Sequence, residues 1–327
     1  MARQVAFSRF GGPEVLEVIT VPDASPGPGE LRIRQTAVGV NFTDIHSRRG
    51  DYANLHALPK PFVPGLEATG RVQAVGAGVE GFKVGDRVAY ASQPMGAYCD
   101  ARNFPAARCV QVPDGLEDAL VAATLLKGMT LQVLLRRVHR VQAGEWIVVH
   151  SAAGGVGTLA GQWLRALGAR AIGIVGSNDK EAAARAAGYE AVFVRGRSDW
   201  PARVRELVGG GVPVVYDPVG RDTWNGSLDC LAPRGHLICY GNSSGLVPPF
   251  SVNELRDRGS LTVSWIRFSD FTATPADLQA SARELFAALG RGLIRPAAPH
   301  CLPLDQAPEA HRRLESGGTT GAIVLVP

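Results

Sequence analysis

The sequence predicts an α/β protein of two domains, one β-rich and one built on a doubly wound parallel sheet. Three observations lead there. The first third carries short β-branched runs parted by Gly and Pro clusters. From Glu145 onward, short apolar runs alternate with helical segments. Between the first two of those runs, "SAAGGVG" at 151–157 forms a glycine turn that opens a helix. Strands apolar on both faces and alternating with helices suit a buried parallel sheet with helices on each side.

Along the chain, "ELRIRQTAVGV", "EATGRVQAVGAGV" and "GDRVAY" read as strands, set apart by stretches such as "DASPGPGE". Their spacing predicts a compact antiparallel, barrel-like domain. The segment "VPDGLEDALVAATLLKGMTLQVLLRRV" then turns helical. Six apolar runs follow: "WIVVH", "AIGIVG", "AVFV", "VPVVYD", "HLICYG" and "LTVSWI". Six such strands make a doubly wound nucleotide-binding domain. The tail returns through "PADLQASARELFAALGRG" and "EAHRRLE" to a last strand, "GAIVLVP". The nucleotide domain, 124–268, is thus inserted into the β-rich one, 1–123 and 269–327.

At 327 residues the chain can bury two cores, and 46% apolar with 20% charged residues is the balance of a soluble enzyme. It holds no run of 18 apolar residues and no signal-peptide core at its start, so a cytoplasmic protein without a membrane partner is expected. Five scattered cysteines with no C-x-x-C pair argue for reduced thiols. The net charge of +4 comes from arginines spread along the chain, which speaks against a nucleic-acid stripe.

In the glycine turn, G-x-G-x-x-G maps onto Ala152, Gly154 and Gly157, with Ala in the first place. Gly154 lets backbone approach a pyrophosphate, and Gly157 lets the helix pack close to the strand. Ala153, Gly154, Gly155, Val156 and Gly157 then form a phosphate cradle at the positive end of the helix. The helix carries Leu159, Trp163, Leu164 and Leu167 on one face and stops at Gly168. NAD-specific domains place an acid about 20 residues past the turn, on the ribose 2′-hydroxyl. Here the strand ends in Gly176 and Ser177, and Lys180 follows one turn later. No carboxylate stands at the strand end to repel a 2′-phosphate, which favours NADP(H); Asp179 beside Lys180 speaks against it, but adjacent residues on a helix point in different directions.

These blocks resemble the zinc-free quinone oxidoreductases of the medium-chain dehydrogenase/reductase superfamily, the group that includes zeta-crystallin. The resemblance covers the whole chain. It rests on "FGGPEVL" at 10–16, "VGVNFTDIHSRRGDY" at 38–52, "PGLEATGRV" at 64–72 and "GDRVAY" at 85–90. It continues through "LLKGMT" at 125–130, "SAAGGVG", "VVYDPVGRDTWNGSLDCL" at 214–231 and "YGNSSG" at 240–245. It implies a GroES-like catalytic domain, a Rossmann domain, and a homodimer joined through the Rossmann domains.

The zinc-dependent branch would have Cys where Asn41 stands, His where Leu66 stands, and a lobe of four cysteines; tetrahedral zinc has no ligand set here. A quinone suits a metal-free site, because hydride addition gives a stabilised hydroquinone anion and the protein mainly positions donor and acceptor. The resemblance implies that Asn41, Tyr52, Lys127, Thr130 and Asn242 line the nicotinamide cleft, with Asn41 and Tyr52 hydrogen-bonding the quinone oxygen. His46 stands where close relatives can have Tyr, and an imidazole there could donate a proton. Arg195 replaces an aromatic residue near the adenosine 2′-phosphate, and its guanidinium can pair with that phosphate. Gly317 stands where relatives carry a basic residue reaching the same phosphate, which weakens the NADP(H) case. An NADPH-dependent reductase of enones or 2-alkenals is the alternative on the same fold. A non-enzymatic RNA-binding or structural role, known among zeta-crystallins, finds no stacking platform in this sequence.

Overall fold

The computed structural model describes residues 1–196 and 199–327, in two compact units. The first comprises Met1–Met129, Thr272–Gly290 and Pro296–Pro327; the second comprises Thr130–Phe271 and Arg291–Arg295.

The first unit opens with β1 (Ala2–Ala6) and β2 (Glu17–Val21), an antiparallel pair. It continues with β3 (Glu30–Gly39), helix α1 (Phe42–Arg49), β4 (Glu67–Val75), β5 (Arg87–Ala91), β6 (Ala101–Pro105) and β7 (Val110–Gln111). Helix α2 (Asp118–Gln132) follows and runs on as a π-helical turn, Val133–Val138. Together they span 21 residues and include an 18-residue stretch of mean hydropathy 1.4, but two-thirds of that stretch (67%) is buried within the protein, so this is a core helix.

The second unit alternates strictly. It holds β8 (Trp146–His150), α3 (Gly155–Ala166), β9 (Arg170–Val175), α4 (Glu181–Ala186), β10 (Ala191–Val194), α5 (Trp200–Val208), β11 (Val212–Asp217), α6 (Trp224–Asp229), β12 (Leu231–Cys239), α7 (Val252–Asp257), β13 (Thr262–Trp265) and α8 (Phe268–Phe271). Its six strands are parallel, in the order β10-β9-β8-β11-β12-β13, which is the doubly wound arrangement the six apolar runs predicted. Val148, Ile172, Val215 and Leu237 fill its core, each fully buried.

The chain then returns through α9 (Pro275–Gly290), β14 (His300–Pro303), α10 (Ala307–Glu315) and β15 (Ile323–Val326). β15 pairs with β3 and completes a seven-stranded sheet, β14-β15-β3-β4-β5-β7, with β6 also on β3. That sheet is antiparallel as expected except for one parallel pair, β14 with β15. The compact first unit reaches Met129 rather than ending at 123, because the first turns of α2 pack on it. Ala122 and Ala123 cluster with Ala37 and Val324, and a Cβ on Gly128 would lie 2.3 Å from Leu285 of α9. At the far end the units change at 271/272 rather than 268/269.

Candidate functional site

In the first unit, polar groups converge on a carboxylate that has no contact with water. Glu67 opens β4 and is fully buried. One of its oxygens accepts the Leu126 N–H at 2.6 Å; the other accepts the Asn41 amide at 2.9 Å. Lys127, the next residue of α2, places its ammonium 3.6 Å from the second oxygen. A buried carboxylate stays charged only when donors and a cation compensate the lost hydration. Here three come from two helices: the amide of α1's leading residue, and a backbone N–H and a lysine of α2. The Lys127 ammonium is itself buried and makes no hydrogen bond. A group with three protons and no acceptor is a costly thing to bury. A ligand oxygen would resolve it.

Asn41 is the N-cap of α1, and its backbone N–H donates to Asp44 Oδ2 at 2.9 Å. Asp44 is fully buried; burial pushes its carboxyl up to about 7 against hydrogen bonds from Asn41 and Tyr98 that favour the charged form. At the other end Gly50, with φ 81°, terminates the helix. His46 lies on the same helix, its Nδ1 2.7 Å from Asp51, and its ring is 5.7 Å from that of Tyr52. Tyr52 is half-buried; burial pushes its phenol up, and Thr43 shares a hydrogen bond with it. Thr130 lies three residues beyond Lys127 in α2, half-buried. The structure thus brings Asn41 and Lys127 together on Glu67, and His46 and Tyr52 together with Asp51.

In the second unit, the glycine turn is built for close packing. Gly154 is the N-cap of α3, and no side chain caps that helix start. A Cβ on Gly157 would lie 2.2 Å from the Ser151 carbonyl and 2.7 Å from Ala152 backbone, so any side chain there would force the helix off the turn. Ser151 absorbs the sharp entry with φ 54°. Ala152 and Ala153 are buried, while Gly154, Gly155 and Val156 are partly open. Leu159, Trp163 and Leu164 are buried as the helical face required, Leu167 only partly. No side chain caps the start of this twelve-residue helix, and an uncapped helix start is where an anion can be taken.

The end of β9 carries the residues expected to read the adenosine side. A Cβ on Gly176 would meet open space. Arg195 donates its backbone N–H to Val175 at 2.8 Å, so it leaves β10 beside Gly176 and Ser177. Ser177 leads into a short turn, Asn178–Lys180, that ends on Lys180. The acid visible in "VGSNDK" is engaged here: the Ser177 hydroxyl bonds the exposed Asp179 carboxylate, holding it below the usual range. The strand end therefore does have an acid next to it, two residues on.

Asn242 sits on a loop after β12, held by Ser243 N–H to Pro218 (3.2 Å) and Ser244 N–H to Val219 (2.9 Å). That neighbouring loop hangs on Asp217, the buried last residue of β11, whose Oδ1 accepts Val219 and Gly220 N–H at 2.7 and 3.2 Å. Its Oδ2 accepts the Ser227 hydroxyl at 2.7 Å, and that hydroxyl also meets His150 Nε2 at 2.9 Å.

Residues 27–116 match the alcohol dehydrogenase GroES-like domain family and residues 155–286 the zinc-binding dehydrogenase family. The chain is 44% identical to a quinone oxidoreductase of Pseudomonas aeruginosa over the full length of both. It is 39% identical to a 2-haloacrylate reductase of a Burkholderia species, covering all of this chain and 99% of the relative. The solved structure of Escherichia coli quinone oxidoreductase complexed with NADPH superposes with a TM-score of 0.95, at 39% identity over 100% of both chains. The chain belongs to the quinone oxidoreductases of the medium-chain dehydrogenase/reductase superfamily.

The zinc in the matched family's description does not fit this quinone oxidoreductase. Where the zinc-dependent branch has its ligands, Asn41 points its amide nitrogen at Glu67, and Leu66 offers no donor atom. Among the described residues, no group of three or more His, Cys, Asp and Glu could hold a metal. Sequence reasoning missed two residues of the site, Glu67 and Asp44. Both lie inside blocks that carry the resemblance, "PGLEATGRV" and "VGVNFTDIHSRRGDY", but nothing in the linear sequence says that these two acids are buried.

Proposed function

We propose that this chain transfers hydride from NADPH to a quinone without a metal, with the first unit as the catalytic domain and the second as the nucleotide-binding domain. The observation that carries this reading is the Lys127 ammonium, buried on Glu67 next to Asn41 with no hydrogen bond of its own. That arrangement fits a ligand oxygen, and the open N-terminus of α3 fits a pyrophosphate. Residues 153–157 would hold the pyrophosphate. Asn41, Lys127, Thr130 and Asn242 would hold the nicotinamide. Gly176, Ser177, Lys180 and Arg195 would surround the 2′-phosphate. When bound, NADPH supplies the hydride.

The chain's own residues position the acceptor and answer its charge. Asn41 gives one amide proton to Glu67, and the other is available to a quinone oxygen as negative charge develops there. Tyr52 offers its hydroxyl to the same oxygen. The proton that completes a hydroquinone is assigned to His46, whose ring is fixed by Asp51. The Burkholderia relative supports a second reading, reduction of an activated C=C bond, since an enone also receives hydride and then a proton. We read the protein as cytoplasmic and as a homodimer through the second unit. Support for the dimer is the end strand β13, where Trp265 is half exposed at 51% in a unit that also exposes Leu246 (73%) and Val252 (76%).

The test is NADPH consumption against a panel of ortho- and para-quinones and 2-alkenals, with NADH in parallel. Asn41→Ala and Tyr52→Phe should lower quinone turnover more than NADPH affinity. Lys180→Ala should weaken NADPH about tenfold and NADH little, since a hydrogen bond to a charged group is worth about 1.5–3 kcal/mol before screening. A wild type preferring NADH, or equal losses of both cofactors, would overturn the assignment of 176–180.

A further inference from the structure

Helix α1 carries Asn41 at its start and His46 in its second turn, yet it has little of its own to hold it in place. It is eight residues long, and its only apolar residues are Phe42, which is partly exposed, and Ile45. A helix this short is marginal alone, and one buried isoleucine does not fix its rotation.

A chain of buried polar groups ties its two ends together. At the first turn, Asp44 Oδ2 accepts from Tyr98 Oη at 3.1 Å as well as from Asn41 N–H. Tyr98 Oη is 3.0 Å from His311 Nε2, and His311 Nδ1 is 3.3 Å from Arg48 Nη1. Arg48, on the last turn of the same helix, is fully buried, donates to Gly11 O at 3.1 Å, and pairs with Glu315 at 2.6 Å. The direction of every bond follows from one fact: a guanidinium cannot accept. Arg48 therefore donates to Nδ1, which puts the imidazole proton on Nε2. Nε2 then donates to Tyr98, and the Tyr98 proton is left for Asp44. All donors point toward Asp44.

We propose that Tyr98 and His311 are positioning residues for Asn41. Together with Asp44 and Arg48 they form a strap that locks α1 at both turns and holds the Asn41 amide against Glu67. The inference rests on the reading of Asn41 as the group that meets the acceptor. Because His311 belongs to α10 and Glu315 ends it, the C-terminal return of the chain sets the placement of a helix near its start. The strap is sensitive to pH at one end. Asp44 is raised to about 7 by burial, with the Tyr98 and Asn41 bonds and Lys127 favouring its charged form and Glu67 opposing it. Its Oδ1 has no hydrogen-bond partner, so a proton there would weaken both bonds to Oδ2 without displacing a neighbour. His311 stays neutral throughout, since burial and Arg48 press it down to about 3.

The test is Tyr98→Phe, which removes one hydroxyl and keeps the ring in the core, beside His311→Leu and His311→Gln. Glutamine can accept from Arg48 and donate to Tyr98, so it should rescue what leucine loses. With whichever acceptor the wild type reduces best, Tyr98→Phe and His311→Leu should lower kcat about tenfold while NADPH Kd stays within about twofold. In Tyr98→Phe the acid limb of kcat should move up by about one pH unit, because there the charged form of Asp44 loses a donor. The Asp44 carboxyl stretch in infrared spectra, identified by its loss in Asp44→Asn, should shift its titration the same way. That readout tests the strap even in a chain that reduces no quinone, a result that would sink only the functional reading. Unchanged kcat and an unchanged Asp44 titration in both variants, or NADPH affinity falling in step with kcat, would overturn the strap.

Discussion

Each unit buries an aspartate joined to a histidine through one hydroxyl, and the two arrangements differ in how completely they are satisfied. In the second unit Asp217 receives two backbone N–H groups and the Ser227 hydroxyl, with His150 behind it. Burial alone would raise its carboxyl, but the His150 ring and these hydrogen bonds outweigh that and hold it below the usual range. In the first unit Asp44 receives two bonds on one oxygen and none on the other, and burial wins. The neighbouring Lys127 ammonium is unsatisfied as well. A saturated buried network fixes a loop and is finished; a network with open valences next to it is where a ligand has something to complete.

The sharpest way to break this comparison is to remove the saturated centre. Asp217→Ala would strip acceptors from Val219, Gly220 and Ser227 at once, leaving buried donors with nothing to bind. We expect a loss of about 3–5 kcal/mol in urea unfolding, the cost of breaking a buried polar centre. A loss under about 1 kcal/mol would show that the loop carries its own weight and that saturation is incidental.

Much of this could be read from the sequence, but unevenly. The six apolar runs gave all six parallel strands, and "GAIVLVP" gave the closing strand, because a buried strand needs apolar residues on both faces and composition records that directly. The glycine turn was legible for the same reason: only glycine fits where a Cβ would stand 2.2 Å from a carbonyl. The Glu67 cluster was not. Glu67, Asn41 and Lys127 come from three separate elements, and no local pattern says that their side chains meet. His311 is harder still, lying 213 residues from Tyr98 in an amphipathic helix where a buried histidine and a solvated one look alike. The start of β12 was also hidden, since the strand begins at Leu231, before the run "HLICYG" that marked it.

A second test follows the pH dependence of the open network. The Asp44 carboxyl rises from 3.8 to about 7 in the folded chain, so the folded state holds a proton that the unfolded state releases between those values. Stability contributed by this group is therefore lost as pH rises through that window. His311 works in the opposite sense: lowered from 6.5 to about 3, it makes stability fall as pH drops below 6.5. The two oppose each other up to pH 6.5, and above it Asp44 acts alone. Asp44→Asn removes one side of this balance. Its stability relative to wild type should rise by about 2–3 kcal/mol between pH 5 and pH 8, measured by urea unfolding at each pH. A relative stability independent of pH would mean that Asp44 is not raised, and that its open oxygen is solvated.

The smallest effect is the most discriminating, because it deletes the same kind of group in both networks. Ser227→Ala removes the hydroxyl between Asp217 and His150, as Tyr98→Phe removes the one between Asp44 and His311. In the saturated network Asp217 keeps both backbone donors on its other oxygen, and the cavity left by one oxygen atom is small. The cost should be about 1 kcal/mol of stability, the net worth of an ordinary hydrogen bond. The 218–220 loop should stay in place, so quinone turnover, NADPH Kd and the pH profile should match the wild type within about twofold. The open network should answer the other way, losing turnover and shifting its acid limb for a similar change in stability. Should Ser227→Ala cost as much turnover as Tyr98→Phe, the distinction between a finished network and one awaiting a ligand fails, and both hydroxyls are structural in the same sense.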